Sequence, residues 1–385
     1  MSGTILLARR YIAYHRGRTA ILVAAIALTM YLPLATHLAI HRFQEQAMSR
    51  ARATPLVIGA KGSRFGLAIH ALHFRGDPPE SITMAEVERI RESKLASAIP
   101  MFARFRAAGH VIVGTTPDYY EFRGLAIAQG EPLSRLGDCV LGADVAQQLD
   151  LHPGDRLLSE PENLFDLSGP SPLNMRVVGI LQRTGTADDD VIFADLKTTW
   201  IIQGIGHGHA DASNDNGEHQ HQASRANLAQ HAEVTDDNLH TFHFHGTPDK
   251  FPLTAIIARA DSDKSEALLM GRYLSPEETK QILRPVEVVD ELMEIILNAR
   301  RLFDAGMILL AAAMLLLVGL VMLLSLRLRQ REMNTMFRLG CSRTTIFQIQ
   351  AAELAIVLVL SSLLALLLAC GTMSLSQSLF RLWVA

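Results

Sequence analysis

The side chains best suited to chemistry lie between Ile205 and Lys250, where eight of the fifteen histidines fall: His207, His209, His219, His221, His231, His240, His243 and His245. Six of them form three H-x-H pairs, 207/209, 219/221 and 243/245. In an extended backbone, residues two apart project from the same side, so each pair offers two imidazoles to one ion. Asp211, Asp215, Glu218, Asp236 and Asp237 stand near enough in sequence to complete a shell. Nitrogen and oxygen donors without a thiolate point to zinc, with copper(II) or nickel(II) behind it. The tract is also dominated by Gly, Asn, Gln, Ser and Asp, which lack the bulk to pack a core, so it reads equally as a disordered polar connection. The two readings are compatible, because an unstructured segment can bind metal weakly at several places, and a single tetrahedral centre is not expected. No Ser/His/Asp or Cys/His arrangement can be argued from spacing. The sequence therefore predicts no catalytic centre and no required cofactor, with zinc as the one metal it could take up.

The rest of the chain sets the context for these residues. Its 385 residues are 49% hydrophobic and its mean hydropathy is positive, which places part of it in lipid. The net charge of −3 is near balance and no basic patch is interleaved with aromatics, so nucleic acid is not an expected partner. Cys139, Cys341 and Cys370 are far apart and fit neither a disulfide framework nor a thiolate metal site. No G-x-x-x-x-G-K-[ST] run is present to cradle nucleotide phosphates.

Three segments are long and apolar enough to cross a bilayer. Met307 to Leu326 has twenty residues and no charge, which at ~1.5 Å per residue covers the ~30 Å hydrocarbon core. Thr19 to Ile40 is as long and contains Pro33, which should kink it. The third runs from about Ala352 to Thr372, with Glu353 expected at its watery entrance. Arg9, Arg10, Arg16 and Arg18 precede the first span, and Arg327, Arg329, Arg331, Arg338 and Arg343 lie between the second and third; both regions should be cytoplasmic. The expected organisation is a cytoplasmic segment 1–18, spans at 19–40, 304–326 and 351–373, an extracytoplasmic domain 41–303 with a His-rich insertion at 205–250, a cytoplasmic coupling segment 327–350, and a tail 374–385 outside.

Within the outer region strands and helices interleave. "PLVIGAKG", "AGHVIVGTT", "MRVVGILQ" and "FPLTAIIARA" read as strands, "DCVLGADVAQQLDL" as a strand passing into a helix, and "ADLKTTWIIQG" as a helix. "SITMAEVERIRES" reads as a helix capped by Ser81, with Met84, Val87 and Ile90 on its apolar face. A helical pattern resumes at "SPEETKQILRPVEVVDELMEIILNARRLFDAG", where Val286, Val289, Leu292, Ile296 and Leu297 keep one apolar face up to the second span. Asp188, Asp189 and Asp190 read as a solvated turn. The fold class expected is an α-helical membrane protein with three spans and a mixed α/β extracytoplasmic domain.

Several of these stretches are familiar together. "RLRQREMNTMFRLGCSRTTIFQIQAAEL" (Arg327 to Leu354) resembles the segment of FtsX/MacB-type ABC transporter permeases in which a basic R-x-R-E helix, an L-G-x-S/C-R turn and a Glu opening the next span follow the second transmembrane helix. "GEPLSRLGDCVLGADVAQQLDLHPGDRL", "VVGILQRTGTADDDVIFADL" and "LTAIIARA" resemble the MacB periplasmic core, with its G-x-x-L turn, V-L-G-x-x-x-A step, P-G-D turn and V-V-G-I-x-x-x-T-G-T-x-x-D segment in this order. The resemblance implies a MacB periplasmic-core fold for the outer domain. It further implies a multi-pass, homodimeric permease in the bacterial inner membrane, with its large domain in the periplasm and a separate cytoplasmic ABC ATPase as partner. Members of the family mainly use ATP hydrolysis to move their periplasmic domains, extracting lipoproteins, expelling peptides or toxins, or switching a cell-wall hydrolase, so a periplasmic or lipoprotein partner is also implied. The chain departs from the family pattern in having three spans rather than four and in carrying the histidine tract. The tail after the third span reads either as an interfacial amphipathic segment or as the mark of a truncated four-span protein.

The coupling segment can also be read from its own residues. A short helix with Met333, Met336, Phe337 and Leu339 on one side and arginines elsewhere, stopped by Gly340 and restarted with Ser342 as N-cap, would lie along the membrane surface. The residues expected to meet the ATPase are Arg327, Arg329, Arg331, Glu332, Met336, Arg338, Gly340 and Arg343, with anionic lipid headgroups as the simpler partner for the arginines. The competing reading is a membrane-anchored periplasmic metal (zinc) receptor or buffer without ATPase coupling. Such a protein would have no use for this segment.

Overall fold

The computed structural model describes residues 2–14, 16–161, 172–208, 232–235, 238–328, 330, 335, 338 and 342–384. The chain divides into two compact units, one made of Met1–Ala47 with Leu292–Ala385 and the other of Met48–Glu291.

The second unit is built on a mixed sheet. In chain order its strands are β1 (Leu56–Ala60), β2 (Ile82–Thr83), β3 (Ala96–Ala107), β4 (His110–Thr115), β5 (Ile127–Gly130), β6 (Asp138–Leu141), β7 (Arg156–Leu158), β8 (Leu173–Leu181) and β9 (Ile192–Asp195). They continue as β10 (Gly206–Gly208), β11 (Ala232–Glu233), β12 (Phe242–Phe244), β13 (Pro252–Leu253), β14 (Ala255–Ala260) and β15 (Lys280–Leu283). The main sheet runs in the order β11-β8-β6-β9-β4-β3-β14-β1-β15, with β5 and β7 also on β8. The β4–β9, β6–β8 and β8–β11 pairs are parallel and the rest of this path is antiparallel.

Strand periodicity decides which face each side chain enters. Phe102, Ile112, Cys139, Leu141, Ile192 and Ala194 bury into one core, while their neighbours Met101, Val113, Val140 and Phe193 bury into a second core. Both faces of the central strands are therefore covered, which is why three consecutive residues in each of β6 (Cys139, Val140, Leu141) and β9 (Ile192, Phe193, Ala194) are apolar. The β3–β4 hairpin turns through Ala108 and Gly109, both at positive φ (48° and 81°), between the paired residues Ala107 and His110. This is the backbone a two-residue loop needs to match strand twist.

The helices of this unit are α3 (Arg64–His73), α4 (Met84–Ser93), α5 (Pro117–Arg123), α6 (Ala143–Leu149), α7 (Leu196–Ile202) and α8 (Asp263–Arg272). On α4, Val87 and Ile90 are buried and Met84 is partly so. Its N-cap position is Thr83 rather than Ser81, without a side-chain cap bond, because Ile82–Thr83 is held as a strand against Pro252–Leu253. The stretch "KQIL" is likewise not helical: it forms β15 at the sheet edge, in register with Val57 to Ala60. Helix formation begins only at Pro285, where the missing proline N–H costs nothing.

Two further helices, α1 (Ser2–Tyr14) and α10 (Arg343–Val384), belong to the first unit, while α2 (Arg16–Arg52) and α9 (Pro285–Leu328) contribute to both. Pro33 lies inside α2. Helices long and apolar enough to cross a membrane occur at Thr19–Arg42, Phe303–Leu320 and Phe347–Thr372. The helix holding the third of these continues through the expected tail to Val384. Along α10, Glu353, Val357, Ser361, Ala365 and Ala369 recur every fourth residue and all are buried. Glu353 is thus packed within its unit. Beside this stripe Ser362 Oγ meets Met30 Sδ of α2 at 3.9 Å.

Candidate functional site

The last turn of α2 brings Arg50 into the core unit, where its side chain is only 7% exposed. An arginine buried this deeply needs partners on every donor. Nη1 and Nη2 form a bidentate pair with the Asp188 carboxylate at 2.6 and 2.9 Å, Nη2 also reaches the Tyr119 hydroxyl at 3.1 Å, and Nε donates to the Leu72 carbonyl at the end of α3. The guanidinium stands 5.6 Å from the centroid of the Phe74 ring. Tyr119 in turn donates to Asp188 at 2.8 Å, and Thr186 Oγ1 donates to the other carboxylate oxygen at 3.0 Å. Burial alone would raise the Asp188 carboxyl, but hydrogen bonding and charge from Arg50, backed by Tyr119 and Arg123, hold it below the usual carboxylate range. Burial pushes the Tyr119 hydroxyl up to about 12, keeping it a donor.

The partner carboxylate is presented by a tightly built turn. Asp189 accepts from the Thr184 and Gly185 amides at 2.9 and 2.6 Å and from Thr184 Oγ1 at 3.1 Å, while Thr186 Oγ1 accepts from the Asp188 amide at 3.3 Å. These side-chain-to-backbone bonds convert "TGTADDD" into a 3-10 turn over Ala187–Asp190 that aims Asp188 inward. Gly142, just ahead of α6, lets this turn close: a Cβ there would lie 2.4 Å from the Asp189 carbonyl oxygen and 2.5 Å from that of Asp188. The expectation of a solvated acidic turn is therefore corrected. Asp188 and Asp189 are each 2% exposed, and only Asp190 faces outward, 3.7 Å from Arg75.

Three neighbours add buried positive or titratable groups. Arg123 on α5 lies 5.6 Å from the centroid of the Tyr119 ring, and its Nε and Nη2 have no hydrogen-bond partner among the described residues. His70 is 2% exposed and neither ring nitrogen is partnered among the described residues; burial holds its pKa down at about 4. Burial, with Arg50, Arg75 and Arg123 behind it, holds His73 at about 4 as well. Both imidazoles are thus neutral near pH 7. The arrangement has no exposed nucleophile and no aligned acid and base. At Arg50, any departure from this geometry would break a bidentate ion pair and strand two buried charges.

Four histidines of the tract, His207, His240, His243 and His245, are among the described residues. His207 in β10 stands opposite His243 in β12, so a two-stranded ribbon closes the base of the tract. The His243 and His245 rings are 4.7 Å apart, His243 is half-buried and His245 exposed. His240 is exposed in a 3-10 turn. His209, His219, His221 and His231, and the acids at 211, 215, 218, 236 and 237, lie outside the described residues. Among the described residues, no group of three or more histidine, cysteine or acidic side chains is placed to hold a metal ion.

In the coupling segment Arg327 and Arg338 are helical and exposed, and Arg343 opens α10. Ser342 Oγ accepts from the Thr345 amide at 3.2 Å, the geometry of an N-cap. Arg329, Arg331, Glu332, Met336 and Gly340 lie outside the described residues.

Comparison with known proteins places these features in a lineage. The family model described as the MacB-like periplasmic core domain matches residues 20–237. Among solved structures, the periplasmic region of MacB from Actinobacillus actinomycetemcomitans aligns with 64% of this chain and 97% of its own at 10% identity and a TM-score of 0.37. The extracellular domain of the ABC-type transporter YknZ from Gram-positive bacteria aligns with 59% of this chain and 98% of its own at 9% identity and a TM-score of 0.33. No curated protein matches. The family match covers more than half of the chain, including the buried turn and the strands around it: the chain belongs to the MacB-like periplasmic core domain family and is a permease component of a MacB/FtsX-type ABC transporter.

Proposed function

We propose that this chain is the permease subunit that converts ATP hydrolysis by a separate cytoplasmic ABC ATPase into movement of its own periplasmic domain, for export, lipoprotein translocation or envelope signalling. It works as a homodimer in the bacterial inner membrane, with 41–303 in the periplasm and Arg327 to Arg343 meeting the ATPase. The single observation that carries this reading is the Arg50–Asp188 anchor: the helix holding the first candidate span ends in a bidentate, buried ion pair with the turn motif of the core domain. The His-rich connection is a regulatory zinc element on this transporter.

A second reading, a membrane-anchored periplasmic zinc receptor or buffer, draws on the ribbon in which His207 faces His243. The two readings separate at the coupling segment. Charge reversal of Arg331 and Arg338 should abolish co-purification with the ATPase and leave zinc uptake intact. Undiminished co-purification would sink the permease coupling role assigned to these residues.

A further inference from the structure

Outside the histidine tract, α2 carries two imidazoles and a carboxylate on one stripe. His37, His41 and Glu45 follow one another at intervals of four on a single helix, at and just beyond the end of the first candidate span, Thr19–Arg42. The His37 and His41 ring centroids are 6.3 Å apart, and His41 Nδ1 lies 3.5 Å from Glu45 Oε1. The His41 and Glu45 side chains are 58% and 68% exposed, so the protein leaves more than half of each uncovered.

We infer that His37 and His41 form a divalent transition-metal site, of zinc type, with Glu45 as the carboxylate that orients His41. Side chains four apart on a helix share one face, which is the spacing by which paired helical histidines chelate zinc. With Zn–N bonds of ~2.0–2.1 Å, two imidazoles on one ion bring their ring centres to roughly 5–6 Å, so the observed separation closes by small side-chain rotations. A carboxylate on Nδ1 is the usual outer partner of a metal-bound imidazole: it settles the tautomer and leaves Nε2 for the ion. Water completes the shell. The site stands apart from the metal reading of residues 205–250 and does not depend on it.

The test is diethyl pyrocarbonate labelling of the full chain in lipid nanodiscs, with and without zinc, read peptide by peptide by mass spectrometry. Zinc should protect His37 and His41 together. In His41→Ala, His37 should lose that protection, as a chelate requires and two independent histidines would not. Glu45→Gln should raise the zinc concentration for half-protection about tenfold. The double variant His243→Ala/His245→Ala should leave protection of His37 and His41 unchanged. Labelling indifferent to zinc, protection of His37 that survives in His41→Ala, or protection that disappears with His243 and His245 would each overturn the assignment.

Discussion

Replacing Arg50 with methionine removes the guanidinium while keeping an unbranched apolar side chain in place. Asp188 would then be left at 2% exposure with the Tyr119 and Thr186 hydroxyls as its remaining donors. Removing one partner of a buried ion pair costs about 3–5 kcal/mol, and the two surviving hydrogen bonds place this site near the lower end, about 3 kcal/mol. At ~1.4 kcal/mol per factor of ten, hydrogen exchange at the amides of residues 48–53 in the full chain should accelerate about a hundredfold. The variant also has a pH signature. With Arg50 gone, burial dominates the Asp188 carboxyl and raises its pKa, so the folded variant takes up a proton more readily than its unfolded chain. The penalty should therefore shrink as pH falls below neutral. Asp188→Asn alone should also destabilise, by stranding Arg50, whereas the double variant should be no worse than either single change because neither charge remains unpaired. Acceleration of less than about threefold in Arg50→Met, or additive effects in the double variant, would refute the anchor.

His70 and His73 have folded pKa values near 4, below the ordinary 6.5, so the neutral form stabilises the fold at and above pH 6.5 and that contribution is lost as pH falls toward 4. Thermal unfolding midpoints should drop across this window, and His70→Leu should flatten the drop; parallel curves for the two proteins would remove His70 from the account. Gly142→Ala should destabilise by about 1–3 kcal/mol, since the carbonyls its Cβ would meet belong to a turn already fixed by Asp189. Gly62→Ala, with nothing within 4 Å of the added carbon, serves as the control and should be close to neutral; equal melting of the two variants would show that the turn can yield.

Much of this protein was legible from local pattern. Uninterrupted apolar runs mark the three candidate spans because hydropathy is a property of a segment, independent of what it packs against. The strands β4, β6, β8 and β14 follow from short β-branched runs bounded by turn residues, and the V-L-G step and T-G-T-x-x-D segment pointed to the family now matched over residues 20–237. What only the tertiary structure decided is where long-range pairing overrides local preference. "KQIL" carries a helical pattern but gains a sheet edge against Val57 to Ala60, more than two hundred residues earlier in the chain. Ile82 and Thr83 are drawn from a helix start into a strand by Pro252 and Leu253. Three consecutive aspartates look solvated in any sequence, because charge predicts exposure unless a partner is delivered. Here the partner is Arg50, 138 residues away, and its burial beside Asp188 depends on α3, α5 and the acidic turn meeting at one point in space.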